Sequence, residues 1–369
     1  MQNNKWIVGV LGLVVLLILT YFIDGSRFSG NKPVTTEKKT IKIGVIAPLL
    51  GPATIFGNAA VKGLELAVED LANKKNLKYR YELVIEDDEM NPAKSASAAQ
   101  KLINVDKVQA LIVTTSATGQ AAKPIAQTAK IPMICIVCTD VTIADGLYTY
   151  TNSVMATDEA KAWVDEVARR GMKKVGLISL NNPGVNAAIA AIKAYLPEKG
   201  ITVAYEERFD NTQRDFKTII AKAKAANADV YFLRVLSPAL EILGQQMKDQ
   251  GMKSLSAGAG AFVLGTDPKM FEGMWYEDGA LVDSTFMTRF KTKYPDVRFN
   301  VLAAPYAYDT LMMLVEGFEV KVNIPEYLKN MTSYDGLVGS VTKELGAGSF
   351  RSRAAIWEIR DGVATPSSN

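Results

Sequence analysis

Hydroxyl side chains are concentrated where an apolar segment runs into a helical one. Residues 109–118 read QALIVTTSAT, and Gly119 and the helical pattern QAAKPIAQTAK follow. The N-terminus of a helix offers unpaired N–H groups and a partial positive charge, and hydroxyl groups such as those of Ser116 and Thr118 add oriented hydrogen bonds. This turn therefore suits a carboxylate or another small polar ligand. The alternative is that the hydroxyl groups only cap the helix.

Histidine is absent from all 369 residues. This excludes Ser-His-Asp and Cys-His nucleophile pairs and any metal site that needs a histidine ligand. The sequence also lacks a GxSxG motif, and the adjacent Asp87 and Asp88 would face opposite sides of a strand. We therefore expect a protein that is not an enzyme and that needs neither a metal nor another cofactor.

Cys135 and Cys138 are the two cysteines, and they lie in the apolar, β-branched segment IPMICIVCT. This pattern predicts a buried strand. Residues three apart in a strand face opposite sides and lie about 10 Å apart, which is too far for a disulfide. A zinc site would need two further soft ligands. The prediction is a pair of buried structural thiols.

Composition and the N-terminus indicate where the protein works. The chain is 48% hydrophobic and 22% charged with a formal charge of +3, which is typical of globular proteins and gives no reason to expect nucleic-acid binding. Residues 6–23, WIVGVLGLVVLLILTYFI, form an apolar run at the short end of what spans a bilayer. We interpret residues 1–25 as an uncleaved membrane anchor that holds the body outside the cytoplasm. The alternative is a cleaved signal peptide and secretion.

Strand and helix patterns alternate along the rest of the chain. Strand patterns occupy the following residues: 40–49, 79–89, 107–114, 132–139, 173–180, 201–209, 228–236 and 252–260. Helical patterns separate them, which is typical of parallel sheets covered on both faces. A chain of this length predicts two such lobes, with a ligand cleft beyond the carboxyl ends of the strands. The polar loops fall at those ends: 51–57, 115–119, 139–140, 181–186, 237 and 258–260.

Five motifs in order resemble the branched-chain amino acid (Leu/Ile/Val)-binding family of type I periplasmic solute-binding proteins. The motifs cover roughly residues 40–362 and read IKIGVIAPLLGPATIFG, EDDEMNPAKSASAAQKLI, TTSATGQAAKPIAQTAKIPMI, DFKTIIAKAKAANADVYF and GLVGSVTKELGAGSFRSRAAIWEIRDG. The resemblance implies two Rossmann-like parallel-sheet lobes joined by a three-strand hinge. The lobes would close on a small amino-acid-like or carboxylate-bearing solute and pass it to an ABC permease in the membrane. A sensing module that acts through a partner is the alternative.

The resemblance also implies a division of the chain. Lobe 1 would comprise residues 40–155 and 283–335, and lobe 2 would comprise residues 156–282 and 336–362. A linker (26–39) would precede them and a polar tail (363–369) would follow.

The family's ligand contacts match this chain mainly in lobe 1. Ser116 falls at a serine that binds the ligand carboxylate, and Thr139 at a threonine that binds the amino and carboxylate groups. Val137 falls at a backbone-contact position, and Phe56 at an aromatic wall. In lobe 2, by contrast, Pro183 replaces a common aromatic residue. No carboxylate occupies residues 258–260, where the resemblance places the partner of a ligand ammonium group.

Four further residues complete the predicted site. Arg234 interrupts the apolar strand VYFLRVL and would either bind an acceptor group of the ligand, pair with a nearby acid or extend into solvent. Asn182, Ser237 and Thr118 are the remaining predicted contacts. The asparagines of the 181–186 loop equally fit a role in forming the loop.

Overall fold

Two α/β lobes, each built on its own sheet, make up the part of the chain that the structure describes. The computed structural model describes residues 38–51, 53–210, 212–280, 284–320 and 323–367. The predicted membrane anchor, nearly all of the predicted linker and the last two residues of the predicted tail lie outside these ranges. Within them, no helix combines the length and the apolar character needed to cross a membrane.

The first sheet contains eight strands among the described residues. In chain order they are β1 (Thr40–Ala47), β2 (Arg80–Asp87), β3 (Ala110–Thr114), β4 (Met133–Ile136), β5 (Thr149–Ser153), β11 (Ser333–Gly336), β12 (Gly339–Thr342) and β13 (Ser349–Arg351). Their spatial order is β11-β12-β13-β5-β4-β3-β1-β2. The pairs from β13 to β2 are parallel, and β11 and β12 add an antiparallel edge.

The second sheet contains seven strands among the described residues. In chain order they are β6 (Lys174–Leu180), β7 (Thr202–Phe209), β8 (Val230–Arg234), β9 (Leu255–Ala257), β10 (Trp275–Gly279), β14 (Ala354–Arg360) and β15 (Val363–Pro366). Their spatial order is β15-β14-β10-β9-β8-β6-β7, with antiparallel pairing only at β14 and β15. Both sheets are therefore mixed, with parallel centres.

Helices connect the strands and cover the sheets. Those described are α1 (Thr54–Asn73), α2 (Pro92–Asn104), α3 (Ser116–Ala129), α4 (Ala156–Arg169), α5 (Pro183–Tyr195), α6 (Lys217–Ala226), α7 (Ala239–Asp249), α8 (Ala261–Leu264), α9 (Ser284–Lys293), α10 (Ala304–Glu319) and α11 (Ile324–Asn330). The central strands are buried on both faces. In β3, Ile112 packs into the core that contains α1 and α10, whereas Leu111 and Val113 pack towards α2 and α3. This explains why β3 is an uninterrupted apolar run.

The chain passes between the sheets three times: after β5, after β10 and after β13. The third passage corrects one predicted boundary, which assigned residues 336–362 to lobe 2. Strands β12 and β13 belong to the first sheet, so the chain crosses between Arg351 and Ala354. The hairpin motif gave no signal for this, because the partner of β13 is the distant strand β5.

The prediction of two free thiols is wrong in this structure. Cys135 and Cys138 form a disulfide, and their Cα atoms lie 5.8 Å apart. The strand β4 ends at Ile136, and Val137 adopts a left-handed conformation with φ of 55°. The chain therefore turns between the cysteines, and the strand spacing used for the prediction does not apply to them.

Candidate ligand-binding cleft

A cavity of about 90 Å³ lies between the lobes, at the carboxyl ends of both sets of parallel strands. Lobe 1 here means the first sheet with its helices, and lobe 2 the second sheet with its helices. Six of the eight predicted contacts line the cavity: Phe56, Ser116, Val137, Thr139, Asn182 and Arg234. The structure does not bring Thr118 and Ser237 to it.

The start of α3 forms one wall of the cavity. Ser116 and Ala117 line it, and a helix start leaves such N–H groups without partners inside the helix. The Ser116 hydroxyl accepts the N–H of Thr139 at 3.2 Å, so its own hydrogen stays available to a ligand. Thr115 caps the helix by accepting the N–H of Thr118. This turn can therefore cap the helix and bind a ligand at once, because Thr115 provides the cap while Ser116 and Ala117 face the cavity.

Thr118 points away from the cavity, which corrects its predicted role. Its hydroxyl donates to the carboxylate of Asp88, which also accepts the hydroxyl of Ser95 at 2.6 Å. All three side chains are fully buried in lobe 1. Thr118 therefore holds the helix start against the β2 end of the sheet.

Contacts between the lobes surround the cavity. The Thr139 hydroxyl donates to the carbonyl oxygen of Gly184 in lobe 2 at 3.0 Å. A Cβ atom on Gly184 would lie 3.0 Å from Ser116 Oγ, so a glycine allows this close approach. Phe56 packs with Leu264 of lobe 2 in a small buried apolar cluster. The structure therefore shows the lobes closed on each other.

The two predicted polar contacts from the loops of lobe 2 differ in placement. Asn182 lines the cavity and also caps α5, because its Oδ1 accepts the N–H of Val185 at 3.0 Å. Ser237 instead donates its hydroxyl to Glu241 at 2.6 Å. It lines a separate groove of about 470 Å³ beside the cavity. The loop that carries Ser237 precedes a helix whose Glu241 lies one turn on, and this local bond turns the serine from the cavity.

Arg234 is buried and pairs with two acids, so the structure shows the pairing alternative among its predicted roles. Its guanidinium lies 2.7 Å from Glu277 and 3.0 Å from Glu159. Glu159 also lines the cavity. Among the described residues, Glu277 Oε2 has no hydrogen-bond partner although it is buried. Two carboxyl groups therefore share one guanidinium at this end of the cleft.

Burial raises the pKa values of these acids. Burial raises the pKa of Glu159, against the opposing attraction of Arg234. Burial, and then the neighbouring Glu159, raise the pKa of Glu277 well above its ordinary value. Burial also raises the pKa of the adjacent Asp278 to about 8. A cationic group entering here would favour the ionised carboxylates, because opposite charges stabilise each other.

Sequence reasoning missed Glu159 and Glu277. The sequence has no carboxylate at residues 258–260, but the structure places the Glu277 carboxylate beside Gly258. A Cβ atom on Gly258 would lie 2.3 Å from Glu277 Oε1 and 2.4 Å from Arg234 Nη1. The one available signal was Glu159 itself, an acid on the buried side of α4 one turn before the fully buried Trp163.

These features define a two-lobed α/β protein with a small cavity enclosed between its lobes. A family model described as "Periplasmic binding protein" matches residues 40–363, and the chain belongs to this family. It is thus an extracytoplasmic solute-binding protein and not an enzyme, as the sequence predicted.

Known relatives agree with this assignment. A Leu/Ile/Val-binding protein homolog 3 of Brucella melitensis is 28% identical over 272 residues, covering 71% of each chain. The crystal structure of a leucine-binding protein, LivK, from Thermotoga maritima superposes with a TM-score of 0.80 at 21% identity, covering 89% of this chain and 98% of that one. A solute-binding protein from R. palustris in complex with 4-hydroxybenzoate gives a TM-score of 0.76 at 22% identity, covering 90% and 96%. The fold is the type I periplasmic binding protein fold.

Proposed function

We propose that this chain captures a small amino-acid-like solute in the cleft and hands it to an ABC permease. One observation carries the proposal: the cavity has a hydrogen-bond-donating wall at one side and an acidic excess at the other. The donors are the start of α3 and the Ser116 hydroxyl group, and the acids are Glu159 and Glu277 around Arg234. This arrangement matches a ligand that carries both a carboxylate and an ammonium group.

The carboxylate would bind first at lobe 1. The N–H groups of Ser116 and Ala117 in the first turn of α3 and the Ser116 hydroxyl would be the donors, and the helix start favours a negative charge. Lobe 2 would then close, bringing Glu159 towards the ammonium group and Leu236 and Leu180 towards an apolar side chain. Contacts of lobe 2 exist only in the closed form, so the ligand would stabilise closure through them.

The solved neighbours include a leucine-binding protein and a protein in complex with 4-hydroxybenzoate, and the acids of this cleft support the first class of ligand. Arg234 would serve a lone carboxylate well if it were unpaired. Its two acidic partners leave no net positive charge for a monoanion, and a second negative charge near them costs free energy. The charges therefore favour the zwitterion over the aromatic monocarboxylate.

Isothermal titration calorimetry with three compounds tests this proposal. All three carry the same branched side chain and differ only in their charged groups. Leucine carries both charges, 4-methylpentanoate lacks the ammonium group, and 3-methylbutylamine lacks the carboxylate. We expect binding of leucine and at least tenfold weaker binding of both analogues. Tight binding of 4-methylpentanoate or of 4-hydroxybenzoate, with none of leucine, would contradict the zwitterion and favour a carboxylate ligand.

We also propose that residues 1–25 remain as a membrane anchor, on the apolar run at residues 6–23 alone. Such a run with no charge is at the short end of a bilayer span. The full-length chain should then stay with membranes after alkaline carbonate extraction, and a variant lacking residues 1–25 but exported by another signal should be released. If the protein expressed from the full-length sequence is instead released, and its mass is lower by about the mass of residues 1–25, the segment is cleaved.

A further inference from the structure

Arg298 connects the two lobes outside the ligand cavity. Its guanidinium donates to three consecutive backbone carbonyl oxygens of lobe 2: those of Leu264 at 2.9 Å, of Gly265, and of Thr266 at 3.0 Å. These carbonyls lie at and after the end of α8. The guanidinium also borders the 470 Å³ groove beside the ligand cavity.

The base of Arg298 is fixed in lobe 1. Its neighbours Val297 and Phe299 pack against the core of that lobe, and Phe299 meets Phe286 and Phe290 edge to face. Asn300 is buried and accepts the N–H of Leu302 at 2.9 Å, just before α10 begins. The backbone on both sides of Arg298 therefore moves with lobe 1.

The three carbonyl groups are fixed in lobe 2. The Thr266 N–H and hydroxyl both donate to Glu241 of α7 at 2.6 Å. Phe262 of α8 stacks on Phe271 in the core of lobe 2. The helix α8 also follows directly on the Gly258–Gly260 loop beside the acids of the cleft. The carbonyl acceptors therefore move with the wall of lobe 2 that closes on the ligand.

The contacts of Arg298 can be exchanged for water when the lobes separate. Among the described residues, the Arg298 guanidinium bonds to backbone carbonyl groups and not to a carboxylate, and the residue is otherwise exposed. Thr266 is exposed as well, and separation of the lobes would uncover the carbonyl groups of the buried Leu264 and Gly265 to water. Opening would therefore break all three bonds at once without leaving a buried charge.

We propose that Arg298 is a closure clasp, which stabilises the closed arrangement of the lobes independently of any ligand contact. The inference rests on the proposed capture by lobe closure, but on no particular ligand. The clasp raises the population of the closed form in the ligand-free protein. Less of the binding free energy of a ligand is then needed to close the lobes. Its loss should shift the equilibrium towards the open form.

Small-angle X-ray scattering of the ligand-free protein tests the clasp. Arg298→Met removes the donors and keeps the apolar stem, and Arg298→Lys keeps the charge but loses the paired donors. Arg289→Met is the matched control, because Arg289 pairs with Glu69 and Asp70 within lobe 1. We expect a larger radius of gyration for Arg298→Met, an intermediate value for Arg298→Lys, and the wild-type value for Arg289→Met.

Leucine titration separates this inference from the proposed function. If both are right, Arg298→Met binds leucine about tenfold more weakly, the effect expected for lost hydrogen bonds to a charged group, while Arg289→Met binds as the wild type does. Unchanged scattering and unchanged affinity for Arg298→Met would overturn the clasp and leave the cleft proposal standing. Changed scattering without leucine binding by any variant would keep the clasp and overturn the amino-acid ligand.

Discussion

The binding wall of lobe 1 depends on a few small polar side chains. Ser116 binds the backbone N–H of Thr139, and the Thr139 hydroxyl reaches across to Gly184. Both side chains are buried, at 3% and 6% exposure, so a ligand group bound there would be shielded from water. Hydrogen bonds in such a place are strongly felt when they are removed, because the partner stays desolvated.

Replacing Ser116 by alanine together with Thr139 by valine should lower leucine affinity by tenfold or more. The change removes the Ser116 donor to the ligand carboxylate and the Thr139 hydrogen bond to Gly184 that joins the closed lobes, each of which contributes on the order of 1–3 kcal/mol. Calorimetric titration gives the affinity. Thr128→Val is the control, since Thr128 is exposed and its hydroxyl donates to the Pro124 carbonyl oxygen at the far end of α3. Equal affinity of the double variant and the control would place the ligand elsewhere.

Asp278 should make stability depend on pH. Burial raises its pKa to about 8, above the ordinary 3.8, with Glu159 adding to the shift and Arg234 opposing it. The folded state therefore holds a proton that the unfolded state has lost, and the free energy of unfolding falls as pH rises from about 4 to about 8. Asp278→Asn cannot ionise and should lack this fall.

Melting temperatures across pH 4–9 test this. The difference between Asp278→Asn and wild type should favour the variant increasingly up to pH 8 and then level off. Asp296→Asn, at an exposed position, is the control and should track the wild type. A pH-independent difference for Asp278→Asn would show that Asp278 is ionised throughout the range.

At the scale of elements, the turn after β4 determines how the cleft is shaped. Val137, in the left-handed conformation, lies between the two cysteines, and both it and Thr139 line the cavity. A β-branched residue rarely adopts this conformation. The disulfide closes the turn around it and so keeps both cavity residues in place.

The disulfide predicts a simple chemical result. Protein unfolded in denaturant without reductant should take up no iodoacetamide, and after reduction it should take up two equivalents, as read by intact-mass spectrometry. The test uses only the wild-type protein, and the reduced sample serves as the control. Two adducts before reduction would restore the original prediction of free thiols.

Local patterns predicted most elements because their determinants are local. The apolar run ALIV of β3 reflects burial on both faces. The helix α2 begins at Pro92, and Asn91 caps it. The missed features depend on distant partners. β13 joins the first sheet through β5, and Glu277 reaches Gly258 across neighbouring strands. One backbone angle at Val137 brings the cysteines together, and spacing in the sequence does not encode it.

At the scale of the whole molecule, closure places two differently charged walls around one small cavity. Lobe 1 supplies the hydrogen-bond donors, lobe 2 supplies the acids, and Arg298 joins the lobes beside them. Ser116, Thr139, Val137 and Phe56 came from the resemblance, and the structure places all four at the cavity. Their roles as ligand contacts stay predictions. The acids of lobe 2 narrow the expected ligand from an amino-acid-like or carboxylate-bearing solute to a zwitterion.

Native mass spectrometry of the protein purified from its own cells reads the ligand of the cleft directly. We expect one bound small molecule per chain, released on activation with the mass of an amino acid or a close derivative. The Ser116→Ala, Thr139→Val variant should purify without it. A bound aromatic carboxylate, or an adduct that the double variant retains, would contradict capture of an amino-acid-like solute at this site.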